Sequence, residues 1–220
     1  MPDPLVLAAD VETELVEKRS RFLTRLHRVT SVEEADERIL AARRDHPSAR
    51  HRCTALVIGE TETAAVVHRS SDDGEPSGTA GMPMLQALLH AELTDTLAIV
   101  IRYFGGVKLG AGGLVRAYTA GVEQAVAAAT LRRRSALAVV RIEVGHADAG
   151  AAEHAVRTWA DAHGAAMEPT AYGSRTAVLT VLVEPSLLEE LRADAARWSA
   201  GRARIEEAGS RLTDVPLAGA

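Results

Sequence analysis

The segment Arg102–Tyr118 has the sequence RYFGGVKLGAGGLVRAY and contains five glycines within nine residues, from Gly105 to Gly113. The mainly apolar stretch TLAIVIRYF leads into it and predicts a buried strand. LVRAYTAGVEQAVAAA follows with the apolar spacing of an amphipathic helix. Glycine loses more conformational freedom on folding than any other residue, so this density indicates that something approaches the bare backbone. We predict a tight turn from a sheet into a helix, approached by an anion, by another piece of chain or by the packed helix itself.

An anion is one candidate, because a strand-to-helix turn of this kind presents free backbone N–H groups. Lys108 inside the turn and Arg116 in the following helix would add positive charge. The named phosphate motifs are missing, since no Gly-Lys-Ser/Thr occurs and Val115 stands where GxGxxG requires its last glycine. Two interpretations stay open: contact with an anion or a phosphate backbone, and close packing of the helix on the strand.

A second unusual stretch, DDGEPSGTAG, begins at Asp72. Its carboxylates could bind a divalent cation, or two of them could act as acid and base. The spacing of a calcium loop is absent, and the alternative is a structural turn in which Thr79 caps a helix that begins near Pro83. The structural turn is the preferred interpretation. The candidate loop site consists of Asp72, Asp73, Glu75, Ser77 and Thr79.

His51 and Cys53 are two residues apart and would share one side of a strand. They could form a nucleophile and its base, but a lone cysteine entering a strand is more often a small buried hydrophobe. One cysteine excludes an internal disulfide and a CxxC zinc site, and His68 and His90 show no metal-ligand spacing. We therefore expect no catalytic residue, no metal and no cofactor.

The composition indicates a cytoplasmic protein with no membrane partner. The first residues do not resemble a signal peptide, and no apolar run approaches the roughly 20 residues of a membrane helix. The net charge of −5 argues against a general nucleic-acid coat. Cations nevertheless cluster in the first part of the chain, where they form either a basic face or a set of solvated edges.

Hydrophobic periodicity predicts two domains, residues 1–134 and 135–220, joined by a linker at Arg132–Ala136. In the first, FLTRLHRV predicts a strand, and SVEEADERILAARRDH predicts a helix capped by Ser31 with Glu34. CTALVIG and TAAVVHR predict a hairpin around Glu60. The cations of RRRS are expected to end the helix that follows the glycines.

The second part alternates strands and helices more regularly. ALAVVRIEV predicts a strand, and DAGAAEHAVRTWADAHG predicts a helix with Asp148 as cap and Gly164 as stop. AAMEPTAYG and RTAVLTVLVE predict two strands, PSLLEELRADAARWSA a helix opening at Pro185, and RARIEEAG a last strand. The order β-α-β-β-α-β is that of a ferredoxin-like domain.

Four motifs carry a resemblance to a known family: KRSRF from Lys18, ARHRCTALVIG from Ala49, DDGEPSGTAG and RYFGGVKLGAGGLVRAY. In this order and spacing the chain resembles the YigZ/IMPACT family, whose members are regarded as translation regulators. The resemblance implies an α+β, two-domain protein. Its N-terminal α/β domain would be of the ribosomal-protein and elongation-factor type, and its C-terminal domain would be ferredoxin-like. One departure is Leu56, where family members often carry an aromatic residue.

The resemblance implies a connection to translation or RNA and supplies no catalytic residue. Our first hypothesis is therefore a module that binds RNA or the ribosome through a basic, glycine-rich surface of the N-terminal domain. Scarce aromatic residues, seven in 220, favour recognition of shape over stacking on single strands. The candidate contacts are Lys18, Arg19, Arg21, Arg25, Arg102, Gly105, Gly106, Lys108, Gly110, Gly112, Gly113 and Arg116.

Two alternatives belong to other functional classes. The C-terminal domain could bind a protein partner through an exposed sheet face, which would make the chain an adaptor. Less favoured is an enzyme that acts on a small phosphorylated or peptide substrate with Asp72, Asp73 and Glu75.

Overall fold

The computed structural model describes residues 3–59 and 66–217 and shows a mixed α+β chain with two β-sheets. The predicted α+β class is confirmed. The chain divides into two compact units. One runs to Arg133 and includes the chain again from Val215, and the other is Arg134–Asp214.

The first unit is built on a five-stranded antiparallel sheet. The unit begins with a short strand, β1 (Leu5–Leu7), outside this sheet. The strands of the sheet are β2 (Val11–Glu17), β3 (Ser20–Arg28), β4 (His51–Ile58), β5 (Val67–Ser71) and β6 (Thr96–Tyr103). The helices are α1 (Val32–Asp45), α2 (Gly81–His90) and α3 (Ala111–Ala128). The sheet order β2-β3-β6-β4-β5 places β6 at the centre.

Both faces of this sheet are covered, which explains why β6 is apolar on both sides. On one face, Cys53 and Val100 of the sheet belong to the same core cluster as residues of α2 and α3, such as Tyr118. On the other face, Ile99 clusters with Ala42 of α1. The predicted buried strand TLAIVIRYF is confirmed.

Helix boundaries were predicted with mixed success. Ser31 caps α1 as predicted, because its side chain accepts a hydrogen bond from the Glu34 N–H, and Glu34 in turn accepts one from the Thr30 N–H. The helix predicted near Pro83 begins at Gly81. The expected hairpin pairs β4 with β5, while the turn around Glu60 and the first residues of TAAVVHR lie outside the described residues.

The predicted end of the long helix was wrong. Helix α3 ends at Ala128, and a continuous strand, β7, runs over Leu131–Gly145 in place of a linker. Its first three residues pair with β1. The sequence gives little sign of this pairing, because strand preference depends on the partner strand and on burial rather than on the residues themselves. The RRRS arginines therefore lie on a strand and do not end a helix.

The second unit follows the predicted order with two differences: the strand predicted over AAMEPTAYG is two short strands, and the helix predicted to open at Pro185 begins at Leu188 after a 3-10 turn. After β7 come α4 (Ala149–His163), β8 (Ala166–Met167), β9 (Ala171–Tyr172), β10 (Thr176–Val183), a 3-10 turn (Pro185–Leu187), α5 (Leu188–Trp198) and β11 (Arg204–Pro216). Strand β7 pairs with β10 and with β11, and β8 and β9 both pair with β10. A single apolar cluster, which includes Val140, Trp159, Leu179 and Leu191, forms the core of this unit.

The ends of α4 illustrate what a cap prediction can miss. Gly164 ends the helix with φ of 65°, as predicted. Asp148 occupies the N-cap position but makes no capping hydrogen bond, and its carboxylate pairs with Arg202 instead.

The glycine-rich segment connects β6 to α3, as predicted. Its glycines differ in the structural reason that each position needs glycine. A Cβ on Gly105 would lie 2.0 Å from the backbone carbonyl group of Arg19, so another piece of chain approaches the segment there. Gly106 and Gly110 have φ of +85° and +76°, which favour glycine. At Gly112 a Cβ would meet only the side chain of Arg116, at 3.6 Å. Close packing accounts for part of the motif only.

We expect Gly105→Ala to lower the free energy of unfolding of the first unit by at least about 2 kcal/mol, because the added methyl group collides with backbone that cannot move away cheaply. The matched variant Gly112→Ala has room and should change stability by less than about 1 kcal/mol. Urea unfolding followed by alkylation of Cys53, the single cysteine and a buried residue of this unit, measures both changes. Equal effects of the two substitutions would contradict this account of the motif.

Candidate functional site

A cleft of about 340 Å³ in the first unit brings the two unusual sequence stretches together. Of the predicted residues, Glu75 from the DDGEPSGTAG loop lines it together with Arg102, Lys108 and Gly110 of the glycine-rich segment. We call this space the loop cleft. The remaining lining residues are Arg50, His51, Pro76, Phe104, Leu109, Ala111 and Leu114.

A buried ion pair forms the floor of the site. Arg102 Nη1 lies 2.6 Å from Glu75 Oε1, and the two side chains are only 7% and 4% exposed. The Tyr118 hydroxyl donates to the same carboxylate oxygen at 2.8 Å. Burial, together with the neighbouring Cys53 and Glu75, raises the pKa of Tyr118, so the hydroxyl stays protonated and remains a donor. These contacts attach the DDGEPSGTAG loop to β6 and to α3.

Arg102 also connects the floor to the glycine-rich segment. Its guanidinium carbon lies 5.3 Å from the ring centroid of Phe22 and 5.8 Å from that of Phe104. Its Nη2 lies 3.5 Å from Ser20 Oγ, and that oxygen accepts a hydrogen bond from the Gly105 N–H. The sequence predicted that Arg102 would contact a phosphate group, but its guanidinium already forms an ion pair with Glu75.

Asp72 organises its own loop. Its carboxylate accepts hydrogen bonds from the N–H groups of Gly78, Ala80 and Gly81, at 2.8 to 3.0 Å. Burial alone would raise the pKa of Asp72, but the three hydrogen bonds outweigh it and hold the pKa below its ordinary value. The prediction that Thr79 caps α2 was wrong, because its hydroxyl donates to the Pro76 carbonyl. Asp72 instead accepts from the N–H groups at the start of α2.

Asp73 and Ser77 complete the predicted loop site. The Asp73 carboxylate accepts from Arg43 Nη2 and from the Arg52 N–H, both at 2.7 Å, and Ser77 is exposed. The three carboxylates therefore serve three separate structural contacts. Within residues 3–59 and 66–217, no group of three or more His, Cys, Asp or Glu side chains is placed to hold a metal ion.

The predicted cations differ in whether their charge is already matched. Arg21 forms a bidentate pair with Glu14, and Arg25 pairs with both Glu12 and Asp45. Another group is exposed and has no ion pair with any described residue. It consists of Lys18, Arg19, Arg50, Lys108 and Arg116.

The His51 and Cys53 pair does not form a nucleophilic site. Cys53 is fully buried, and burial is the main reason that its thiol pKa is raised to about 12. His51 instead lines the loop cleft, with Nδ1 2.9 Å from the Asp73 carbonyl oxygen and Nε2 4.0 Å from Glu75 Oε1.

Seven of the lining residues were not predicted as site residues, and three of these carry a charged, polar or aromatic group: Arg50, His51 and Phe104. Phe104 carries the only useful signal, because an aromatic residue followed by two glycines at the end of a buried strand is placed to remain exposed. No comparable signal marks Arg50. Among the described helices, none is long and apolar enough to cross a membrane.

The lowered pKa of Asp72 predicts a pH-dependent contribution to stability. The folded pKa lies below the unfolded one, so the charged carboxylate stabilises the fold above the unfolded pKa, and this contribution is lost as pH falls through the folded pKa. Asp72→Asn should lower the urea midpoint at about pH 7, and its difference from wild type should shrink below about pH 4. Circular dichroism measures both. The exposed Asp161 of the second unit is the control, and Asp161→Asn should change little at either pH.

The raised pKa of Cys53 predicts a thiol that is inert in the native protein. Iodoacetamide should modify native Cys53 on the order of 1000-fold more slowly than Cys53 in the urea-unfolded chain, because few thiolates form and the sulfur is buried. Mass spectrometry of the alkylated fraction measures both rates. Similar rates in the two states would show that the thiol is accessible and would return it to consideration as a nucleophile.

The family model that matches this chain covers a segment of the first unit. Residues 18–126 match the family model described as the Impact N-terminal domain. The IMPACT family member YvyE of Bacillus subtilis is 50% identical over 113 residues, which are 51% of this chain and 51% of that protein. The IMPACT family member YigZ of Escherichia coli is 44% identical over 133 residues, which are 60% of this chain and 65% of that protein. The chain thus spans about half to two thirds of the curated relatives it matches.

One solved structure extends over both units. A crystal structure of a hypothetical protein is 33% identical, has a TM-score of 0.57, and covers 94% of this chain and 98% of that one. All residues of the loop cleft lie inside the segment that the family model matches. By its Impact N-terminal domain and its identity to YvyE and YigZ, this chain belongs to the IMPACT family.

Proposed function

We propose that this protein is a cytoplasmic translation regulator that binds RNA or the ribosome through phosphate contacts on its first unit. The proposed contact surface, which we call the cationic loop surface, consists of Lys18, Arg19, Lys108 and Arg116. Membership of the IMPACT family, whose members are regarded as translation regulators, supports the context. One observation carries the proposal: the Lys18–Arg19 turn packs directly against the glycine-rich segment that bears Lys108.

The packing of that turn concentrates unpaired positive charge. The backbone of Arg19 contacts Gly105, three residues before Lys108. Arg116 extends its guanidinium toward Gly112 of the same segment, since a Cβ there would lie 3.6 Å from Nη1. All four side chains of the cationic loop surface are exposed and have no ion pair with any residue in the described ranges. Phosphate binding needs cations of this kind.

The backbone of the turn gives a second, independent argument. Lys18 and Arg19 connect β2 to β3 with φ of 46° and 68°. Two-residue hairpin turns with positive φ favour Asn-Gly or Gly-Gly, and other residues are strained there. The chain retains two cations in spite of this strain. We infer that their charge, and not their turn preference, is what this position supplies.

The start of α3 adds backbone donors. Its N-cap is Gly110, which has no side chain to cap the helix, and the Leu114 N–H donates to the Gly110 carbonyl. The N–H groups of the residues between them have no acceptor within the helix. These donors and the helix dipole supplement the cations at the same edge of the unit.

We also propose the domain assignment that the sequence predicts. Residues 1–134 would be a domain of the ribosomal-protein and elongation-factor type, and residues 135–220 a ferredoxin-like domain. The sequence of elements in the second unit and the pairing of β7 with β10 and β11 support the ferredoxin-like assignment. The enzyme alternative gains no support, because Asp72, Asp73 and Glu75 are each held by structural hydrogen bonds.

Co-sedimentation with ribosomes across a salt series tests the proposal. Wild-type binding should weaken steeply with salt, because each phosphate contact releases counterions. Lys108→Ala/Arg116→Ala should weaken binding and reduce the slope of log K against log salt by about 2, or about 1 per lost phosphate contact.

The control removes the same charge from the second unit. Arg157 and Arg197 are exposed helix residues that pair with neighbours on their own helices, and Arg157→Ala/Arg197→Ala should leave binding and slope unchanged. Binding that ignores salt, or an equal loss in both double variants, would count against the cationic loop surface.

A further inference from the structure

The walls of the loop cleft are mainly apolar, which a purely phosphate-binding site does not need. The two loops and α3 supply the apolar lining residues, which are Pro76, Phe104, Leu109 and Leu114. The volume, about 340 Å³, is at the lower end of the range for small-molecule sites. The cleft therefore suits one compact group that has an apolar face.

Phe104 provides the flat surface for such a group. It lines the cleft, and 49% of its surface is exposed. The Arg102 guanidinium carbon lies 5.8 Å from its ring centroid, and the buried pair with Glu75 holds that guanidinium in place. The ring is thus both open and positioned. A nucleobase stacks favourably on an aromatic side chain of this kind, whatever its identity.

The polar groups at the cleft match the rest of a nucleotide. Arg50 and Lys108 line the cleft, are exposed and have no ion pair with any described residue. The carboxylate in the cleft, Glu75, is already paired with Arg102 and so does not repel an anion strongly. The Asp73 carbonyl oxygen already occupies His51 Nδ1, which leaves the Nε2 atom to form a hydrogen bond with the edge of a base.

We propose that the loop cleft binds one unpaired nucleotide of the RNA, with its base on Phe104 and its phosphate on Arg50 and Lys108. This inference rests on the proposed function and narrows its ligand to RNA that contains a single-stranded or looped-out residue. A base inside a duplex offers no free face to stack on, so the cleft discriminates against fully paired RNA. The sequence favoured recognition of shape because aromatics are scarce, but the structure places one of the seven in the cleft.

Fluorescence anisotropy with a labelled ten-residue oligouridine and a ten-base-pair RNA duplex tests the proposal. Phe104→Ala should weaken binding of the oligouridine about tenfold, the typical loss when one stacked base loses its aromatic partner. It should change duplex binding less than about twofold, because the duplex contacts the cationic loop surface alone.

Two further variants control for indirect effects. Val107 belongs to the same segment, is 40% exposed and does not line the cleft, so Val107→Ala should leave both affinities unchanged. Phe104→Tyr retains the stacking face and should retain the affinity of wild type. Circular dichroism of each variant verifies that the fold is intact.

The outcomes separate the two proposals. Suppose that both RNAs bind in a salt-dependent manner, and that Phe104→Ala either has no effect or weakens the binding of both RNAs equally. Either result overturns the single-nucleotide cleft and leaves the proposed function standing. Failure of the wild-type protein to bind either RNA also overturns the single-nucleotide cleft, and the proposed function itself is overturned if the wild-type protein does not co-sediment with ribosomes either. If 5′-UMP binds in a Phe104-dependent manner and the oligouridine does not, the occupant is a free nucleotide, and the RNA proposal is wrong.

Discussion

The first unit depends on one interaction, the buried ion pair between Glu75 and Arg102. Taking two charges out of water is costly, and their attraction compensates only where the geometry is close and the remaining hydrogen-bonding groups are used. Here the N–O distance is 2.6 Å, and Tyr118 donates a further hydrogen bond to the carboxylate. An apolar pair could supply similar stability. What the ion pair adds is a fixed relation between a loop, the central strand and a helix, and this relation creates the loop cleft.

The same pair explains why two sequence motifs far apart in the chain belong to one structure. DDGEPSGTAG supplies the carboxylate, and RYFGGVKLGAGGLVRAY supplies both the guanidinium of Arg102 and the hydroxyl of Tyr118. Asp72 then shapes the first motif from within, through hydrogen bonds to three backbone N–H groups. Carboxylates that resemble a metal or acid–base cluster in the sequence are therefore mostly occupied by the fold. The chemistry left at the surface is cationic and aromatic.

The distribution of charge resolves an apparent conflict in the composition. The chain has a net charge of −5, and several of its arginines, such as Arg21 and Arg25, are matched by carboxylates. The exposed cations near the glycine-rich segment are not. At physiological salt, exposed charges farther apart than the Debye length of about 8 Å are largely screened from each other. A phosphate therefore responds mainly to the cations close to it, and the total charge of the molecule is a poor guide to its binding.

Elements whose signals are local could be predicted from the amino-acid sequence alone. The apolar run of β6, the Ser31 cap and the Gly164 stop each depend on neighbouring residues, and all three were predicted correctly. Most of β7 was also predicted, as ALAVVRIEV, but its first residues were not, because Arg132 and its neighbours form a strand only when β1, more than 120 residues earlier, supplies the partner. Likewise, the sequence identified both loops, but their shared cleft, the ion pair of Glu75 with Arg102 and the exposure of Phe104 arise only from contacts made in the folded chain. Burial and pairing are properties of residues that meet in space, and a single sequence specifies them only through the fold.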